Sequence, residues 1–264
     1  MLIVAERINA TRKGVARALE ERDAAYVAGE AKRQAAAGAG FIDLNAGRRA
    51  ETETDDLCWL VDVVRDAVEV PLALDSANPA SLEAALRLVD GEVLLNSVTA
   101  ESSKMDVVLE LAASSGAKLV ALTMDDKGMP DTVERRVEIA IRIGAAAEAK
   151  GIGPERLYFD PLIRPVSSNP EQVDAVLESV GEIKRNVEGS RTIVGLSNIS
   201  FGLPKRRLLN ASFLVMATAA GLDAAILDPT EPGLVGLALA AEALAGRDDY
   251  CMNYIAAERS GLLG

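Results

Sequence analysis

Short apolar runs alternate with longer amphipathic segments along the whole chain. Runs of Val, Leu, Ile and Ala bounded by polar or turn-forming residues are typical of buried strands. A helical pattern follows each run, and repeated strand–helix alternation favours a parallel sheet. The eight predicted strands cover residues 2–5, 41–44, 71–74, 93–95, 118–123, 157–159, 192–196 and 223–227.

Glycine and proline positions agree with this alternation. Gly116 and Gly221 stand just before predicted strands, where the end of a helix often requires the positive φ that glycine tolerates. Pro79 and Pro170 are placed for the first turns of helices. No Ser/Gly-rich linker, charge block or low-complexity segment divides the chain. We therefore predict one domain over residues 1–264, a closed (β/α)8 barrel, with an open doubly wound sheet as the alternative.

Length and composition fit that prediction. The chain has 264 residues, of which 49% are hydrophobic and only 3% aromatic. Barrels of this class need about 250 residues and fill their layers with branched and small side chains. Neither GxGxxG nor GxxxxGK[ST] follows the first predicted strand, which weakens a nucleotide-binding alternative.

The composition also excludes several kinds of chemistry. The chain contains no histidine and only two cysteines, Cys58 and Cys251, so common zinc sites and Ser-His-Asp or Cys-His catalysis are excluded. A formal charge of −12 argues against a nucleic-acid partner. There is no apolar run long enough to span a membrane and no signal-like start, so we expect a cytoplasmic protein.

Polar residues stand where most predicted strands end, and the active site of a (β/α)8 barrel lies at the carboxyl ends of its strands. Each one alone is explained equally well as a turn former or helix cap. Together they suit a neutral heterocycle rich in N–H donors, with a metal site of clustered carboxylates as the competitor. They are Glu6, Asp43, Asn45, Asp75, Asn96, Thr123, Asp125, Asp160, Asn198 and Asp228.

Seven segments at these positions resemble segments of one family, and they occur in the same order over essentially the whole chain. They are similar to the pterin-binding barrels, and within these to the methyltetrahydrofolate:corrinoid protein methyltransferases. That group is related to the folate domain of cobalamin-dependent methionine synthase and, more distantly, to dihydropteroate synthase. The segments are AERIN (5–9), FIDLNAG (41–47), LALDSAN (72–78), LLNSV (94–98), LYFDPLI (157–163), VGLSNISFG (194–202) and GLDAAILDP (221–229).

The resemblance implies a homodimeric barrel in which Asp75, Asn96 and Asp160 hydrogen-bond the pterin ring. Asn198 matches the amide that reaches N5 of the pterin and is the expected catalytic residue. We expect no metal to be bound by the chain itself. Further candidate site residues are Glu6, Asp43, Asn45, Ser197, Arg206 and Asp228.

The implied reaction moves a methyl group between N5 of tetrahydrofolate and the cobalt of a separate corrinoid protein, because this chain has no DxHxxG segment and no second domain for cobalamin. The direction of transfer stays open, as does tetrahydromethanopterin as the carrier. One alternative is a folate-binding barrel without methyl transfer. Another is a dihydropteroate synthase. This alternative is disfavoured because the chain has Asn198 and Asp228 at positions where that enzyme's pattern has basic residues.

Four cations near the predicted site have two interpretations. Lys205, Arg206 and Arg207 follow the seventh predicted strand, and Arg164 follows the sixth. They could contact folate carboxylates or an acidic corrinoid protein, or they could form a solvated surface near a helix start.

Overall fold

A computed structural model describes residues 1–263 and shows eight parallel strands closed into a barrel in chain order. The first strand pairs with both the second and the eighth, which closes the sheet. The prediction of a (β/α)8 barrel is therefore confirmed. The strands are β1 Leu2–Asn9, β2 Phe41–Asn45, β3 Leu72–Asp75, β4 Val93–Ala100, β5 Lys118–Asp125, β6 Leu157–Asp160, β7 Arg191–Gly195 and β8 Ala224–Leu227.

Helices connect the strands, and most of them pack an apolar stripe against the sheet. Among residues 1–263, none has both the length and the apolar character that crossing a membrane requires. Three short 3-10 helices cover Pro154–Arg156, Leu196–Ser200 and Asp249–Cys251. The α-helices are α1 Lys13–Glu21, α2 Ala24–Ala36, α3 Glu53–Ala67, α4 Pro79–Leu86, α5 Met105–Ser115, α6 Val133–Ala149, α7 Gln172–Asn186, α8 Arg206–Ala219, α9 Leu234–Leu244 and α10 Met252–Arg259.

Two strands run well past their predicted ends. β1 continues to Asn9 and β4 to Ala100, and both shift register against a neighbour where the apolar run stops. Backbone pairing with the adjacent strands continues through polar side chains, so hydropathy alone ends these strands too early. As a result, Glu6 and Asn96 lie inside strands rather than at their ends.

The turn residues divide between confirmation and correction. Gly116 and Gly221 have φ of 75° and 102°, as predicted for chain reversals after helices. Pro79 begins α4, and the Asn78 side chain accepts the Ala80 N–H at 3.1 Å as the cap of that helix. Pro170 lies before α7 rather than in its first turn, so that prediction is wrong.

Side chains inside the barrel form an apolar layer, and most of the side chains two residues further along each strand are polar. Residues two apart on a strand share a face, so the next inward position on each strand lies one layer closer to the carboxyl end. The apolar layer consists of Val4, Phe41, Ala73, Leu94, Val120, Tyr158, Ile193 and Ala224. The positions two residues further on are Glu6, Asp43, Asp75, Asn96, Leu122, Asp160, Gly195 and Ile226, of which Leu122 and Ile226 pack against the apolar layer.

Candidate functional site

Two carboxylate–amide pairs occupy one side of the barrel mouth. Asn45, Asp75 and Asn96 are aligned across β2, β3 and β4. The Asn45 amide donates to Asp75 Oδ2 at 2.9 Å, and the Asn96 amide donates to Asp43 Oδ1 at 3.2 Å. Each amide N–H₂ therefore fixes a carboxylate, while the side-chain Oδ1 of Asn96 and the second oxygen of Asp75 stay available to a ligand.

Asp160 supplies a third carboxylate from the end of β6. Its Oδ1 accepts the Leu162 N–H at 2.7 Å. The Thr123 hydroxyl donates to the Asp160 carbonyl oxygen at 2.9 Å. The carboxylate is thus oriented by its own loop, with Thr123 fixing the backbone behind it.

Asn198 lies on the 3-10 helix Leu196–Ser200 that follows β7. Its side chain is exposed, and its amide makes no side-chain hydrogen bond within residues 1–263. Next to it, the Ser197 hydroxyl donates to the Glu6 carboxylate. Arg206 Nη2 donates to the Ser197 carbonyl oxygen at 2.6 Å. The short helix therefore connects to β1 and α8 while its asparagine amide can bind a ligand.

Two of the predicted acidic residues are already saturated by protein donors. Asp228 Oδ2 accepts from Arg7 at 2.7 Å, and its Oδ1 accepts the Thr230 hydroxyl at 2.6 Å. Asp125 forms ion pairs with Arg135 and Arg142. Asp228 joins β8 to β1 through Arg7, and Asp125 anchors α6. These protein contacts explain both residues without a bound ligand.

Four carboxyl groups of the mouth have raised pKa values. Burial raises the pKa of Asp75 and that of Asp160 to about 6. Burial, followed by the charge of Asp75, raises the pKa of Asp43 well above its usual value. Burial also raises the pKa of Glu6, although the Ser197 hydrogen bond opposes this. The ionised form of such a carboxylate is stabilised when a ligand donates N–H hydrogen bonds to it.

These pKa shifts predict an unusual pH dependence of stability for Asp160→Asn. Folded Asp160 takes up a proton below about pH 6, whereas unfolded aspartate does so below about pH 4, so its ionised form opposes folding at neutral pH. Asparagine has no ionisable group, so this unfavourable contribution to the free energy of folding is absent in the variant. The stability of the variant relative to wild type should rise by on the order of 1–2 kcal/mol between about pH 4 and pH 7, measured by urea unfolding without ligand.

Asp125→Asn is the matched control. The Lys127 N–H, Arg142 and Arg135 outweigh the effect of burial and lower the pKa of Asp125. That carboxylate stabilises the fold above about pH 4 and loses its effect only in stronger acid. The stability of the Asp125→Asn variant relative to wild type should therefore stay constant from pH 4 to 7. Parallel curves for Asp160→Asn and wild type over that range would contradict the assigned pKa shift.

The structure assigns two of the ambiguous cations to protein contacts. Arg164 Nη2 donates to the Met129 carbonyl oxygen at 2.8 Å and pairs with Asp131, so it anchors the β5–α6 loop. Arg206 holds Ser197 as described above. Lys205 and Arg207 line a cavity of about 670 Å³ beside Leu208, between the starts of α8 and α9.

Sequence reasoning missed Arg136. This residue of α6 is 1% exposed, and its Nε donates to the Pro161 carbonyl oxygen at 2.7 Å. It also donates to the Asp131 carbonyl oxygen at 3.2 Å. It therefore supports the loop that carries Asp160. The available signal was its place on the buried stripe of α6, in helical register with Ile139 and Ile143.

Among the described residues, no group of three or more Cys, Asp or Glu side chains is arranged to hold a metal ion. The carboxylates of the mouth are instead separated and individually paired with amides and backbone N–H groups. This arrangement of acceptors suits hydrogen bonding to a flat, N–H-rich ring.

A closed (β/α)8 barrel with acidic and amide acceptors in its mouth is compatible with binding of a pterin ring. The family described as pterin binding enzyme matches residues 5–228, and the chain belongs to this family.

Individual relatives give a finer similarity. The chain is 38% identical to the methylcorrinoid:tetrahydrofolate methyltransferase of Eubacterium limosum, over 100% of this chain and 98% of that protein. It is 32% identical to the methionine synthase of Mycobacterium tuberculosis over 86% of this chain, which corresponds to 20% of that longer protein. A sulfonamide complex of Yersinia pestis dihydropteroate synthase superposes with a TM-score of 0.70 at 14% identity, covers 94% of each chain and shares the fold.

Proposed function

We propose that this protein is a methyltransferase that moves a methyl group between N5 of tetrahydrofolate and the cobalt of a separate corrinoid protein. The observation that carries the proposal is the Asn198 amide, which makes no side-chain hydrogen bond within residues 1–263 and follows β7 at the end of the barrel that carries Asp75, Asn96 and Asp160. The full-length similarity to a protein named for this reaction supports it.

The pterin ring is held by Asp75, Asn96 and Asp160. A carboxylate can accept two N–H bonds side by side, which matches a 2-amino group and the neighbouring ring N–H. The side-chain Oδ1 of Asn96 provides a further acceptor, since its amide nitrogen Nδ2 is committed to Asp43. In this assignment Asp43 and Asn45 contribute by fixing the two ligand-binding side chains.

Transfer to cobalt breaks the N5–methyl bond and leaves its electron pair on N5, while Co(I) supplies the pair for the new cobalt–carbon bond. Tetrahydrofolate leaves readily only when N5 gains a proton or a strengthening hydrogen bond. Asn198 can donate to unprotonated N5 and, after rotation of its amide, accept from protonated N5. It is the proposed catalytic residue.

The cobalt is carried by a partner corrinoid protein, and the name of the Eubacterium limosum relative supports transfer from methylcorrinoid towards tetrahydrofolate. We also propose a cytoplasmic homodimer that binds neither a metal nor nucleic acid. Exposed apolar side chains on α8 and α9, including Leu208, Met216 and Leu244, support pairing with a second copy. A monomeric mass in solution would contradict the dimer.

An assay with cobalamin tests the proposed chemistry. Methyltetrahydrofolate and free Co(I) cobalamin, mixed with the protein, should lose the Co(I) absorption as methylcobalamin appears. Methylcobalamin and tetrahydrofolate test the reverse direction. Saturable pterin binding without any change at cobalt would favour the second candidate, a folate-binding barrel without methyl transfer.

A further inference from the structure

The 3-10 helix Leu196–Ser200, which carries Asn198, is held in place through two hydrogen bonds of Ser197. On one side, the Ser197 hydroxyl donates to the Glu6 carboxylate of β1, a contact that joins residues 191 positions apart. On the other side, Arg206 in the first turn of α8 donates to the Ser197 carbonyl oxygen at 2.6 Å. The hydroxyl and the carbonyl oxygen of Ser197, the residue before Asn198, are therefore hydrogen-bonded to two different elements of the barrel.

The same arginine reaches a second point of the segment. Its Nε donates to the Ser200 hydroxyl at 3.0 Å, and that buried hydroxyl donates to Asn210 Oδ1 at 2.7 Å. A five-residue 3-10 helix has few hydrogen bonds of its own, so these side chains largely determine its position.

Asn198 itself packs closely on the end of β7. A Cβ atom added at Gly195 would lie 3.0 Å from Asn198 Nδ2, tighter than most real contacts of this kind. A displacement of the segment would therefore change the position of the amide relative to Gly195.

We propose that Glu6 and Arg206 are positioning residues that clamp Ser197 from opposite sides and so hold the Asn198 amide at its working position. This inference rests on the proposed methyl transfer, and it replaces direct pterin contact as the role of both residues. A preorganised amide stabilises a transition state only if its position is already fixed before the reaction. Positional errors of about 1 Å are costly in this situation.

Double-mutant cycles on single-turnover methyl transfer test the clamp. At saturating methyltetrahydrofolate, Glu6→Ala and Arg206→Ala should each lower the rate about 10-fold, with pterin affinity changed by no more than about 3-fold. In the Asn198→Ala background, the same two changes should cause no further loss of rate, because their only route to the reaction has been removed. Independent effects that multiply would overturn the proposal.

Conservative and neighbouring variants separate positioning from other causes. Glu6→Gln keeps an oxygen that can accept from Ser197 and should retain most of the rate, whereas loss equal to that of Glu6→Ala would overturn the clamp. Arg207→Ala removes a neighbouring charge whose side-chain hydrogen bond among residues 1–263 goes to the Pro232 carbonyl oxygen and not to the Asn198 segment, so its effect should multiply with that of Asn198→Ala.

Two further outcomes keep this inference distinct from the proposed function. If Glu6→Ala fails to fold, Ser197→Ala removes the same hydrogen bond, and its effect must also vanish in the Asn198→Ala background. Wild-type protein that transfers no methyl group would overturn the proposed function. Wild-type transfer with multiplying double mutants would overturn the clamp alone.

Discussion

Asn198→Ala should lower the rate of methyl transfer by about 10²-fold or more while pterin affinity falls much less. This is the usual scale for loss of a preorganised hydrogen-bonding group that acts on a transition state. The amide interaction with N5 should strengthen as positive character develops there, so its loss affects the reaction more than ground-state binding. Single-turnover rates at saturating methyltetrahydrofolate, with affinity from calorimetry, measure the two effects separately.

Asn198→Asp is the matched variant. An ionised carboxylate can accept from protonated N5 but cannot donate to unprotonated N5, so this variant separates the two abilities of the amide. A variant that retained a substantial rate would show that accepting is the important role. An Asn198→Ala protein with reduced affinity and a normal rate at saturation would contradict the catalytic role and place Asn198 among the pterin anchors.

Asp75→Ala should weaken pterin binding by about 1–3 kcal/mol and affect turnover at saturation no more than binding. The change removes an acceptor for the ring and also leaves the Asn45 amide without its partner. Asp160→Ala should have an effect of the same size. Calorimetry with tetrahydrofolate measures both, and unchanged affinity in both variants would contradict the pterin assignment.

Asp160→Asn adds an internal comparison to that experiment. Its folded state should gain stability relative to wild type as the pH rises from 4 to 7, while its pterin affinity falls because an ionised acceptor has been lost. Opposite signs for stability and binding would identify Asp160 as a group kept for its ligand at a cost to the fold.

The sequence was sufficient for the barrel because its main signal, alternation of strand-like runs with helical stripes, is local. It was insufficient where tertiary pairing extends an element. Pairing with neighbouring strands extends β1 to Asn9 and β4 to Ala100, through residues whose hydropathy indicates a loop. Such extensions depend on the partner strands, which single-sequence patterns do not contain.

The site was predictable to a similar degree. Strand position predicted Asp75, Asn96 and Asp160 at the mouth, and in the structure each stands two residues beyond an apolar-layer residue of its own strand. Asp228 and Asp125 have the same residue type and the same kind of position, yet protein cations pair with both of them. Whether a carboxylate is free or paired depends on residues distant in the chain, so it becomes visible only in three dimensions.

Transfer of a labelled methyl carbon tests the central claim most directly. Methyltetrahydrofolate that carries carbon-13 in its N5 methyl group, mixed with Co(I) cobalamin and the protein, should yield methylcobalamin with the label on cobalt and one tetrahydrofolate for each methyl group moved. The rate should fall by about 10²-fold or more with Asn198→Ala at saturating pterin. Tight binding of the labelled pterin with no label reaching cobalt, and none returning from labelled methylcobalamin to tetrahydrofolate, would contradict the account.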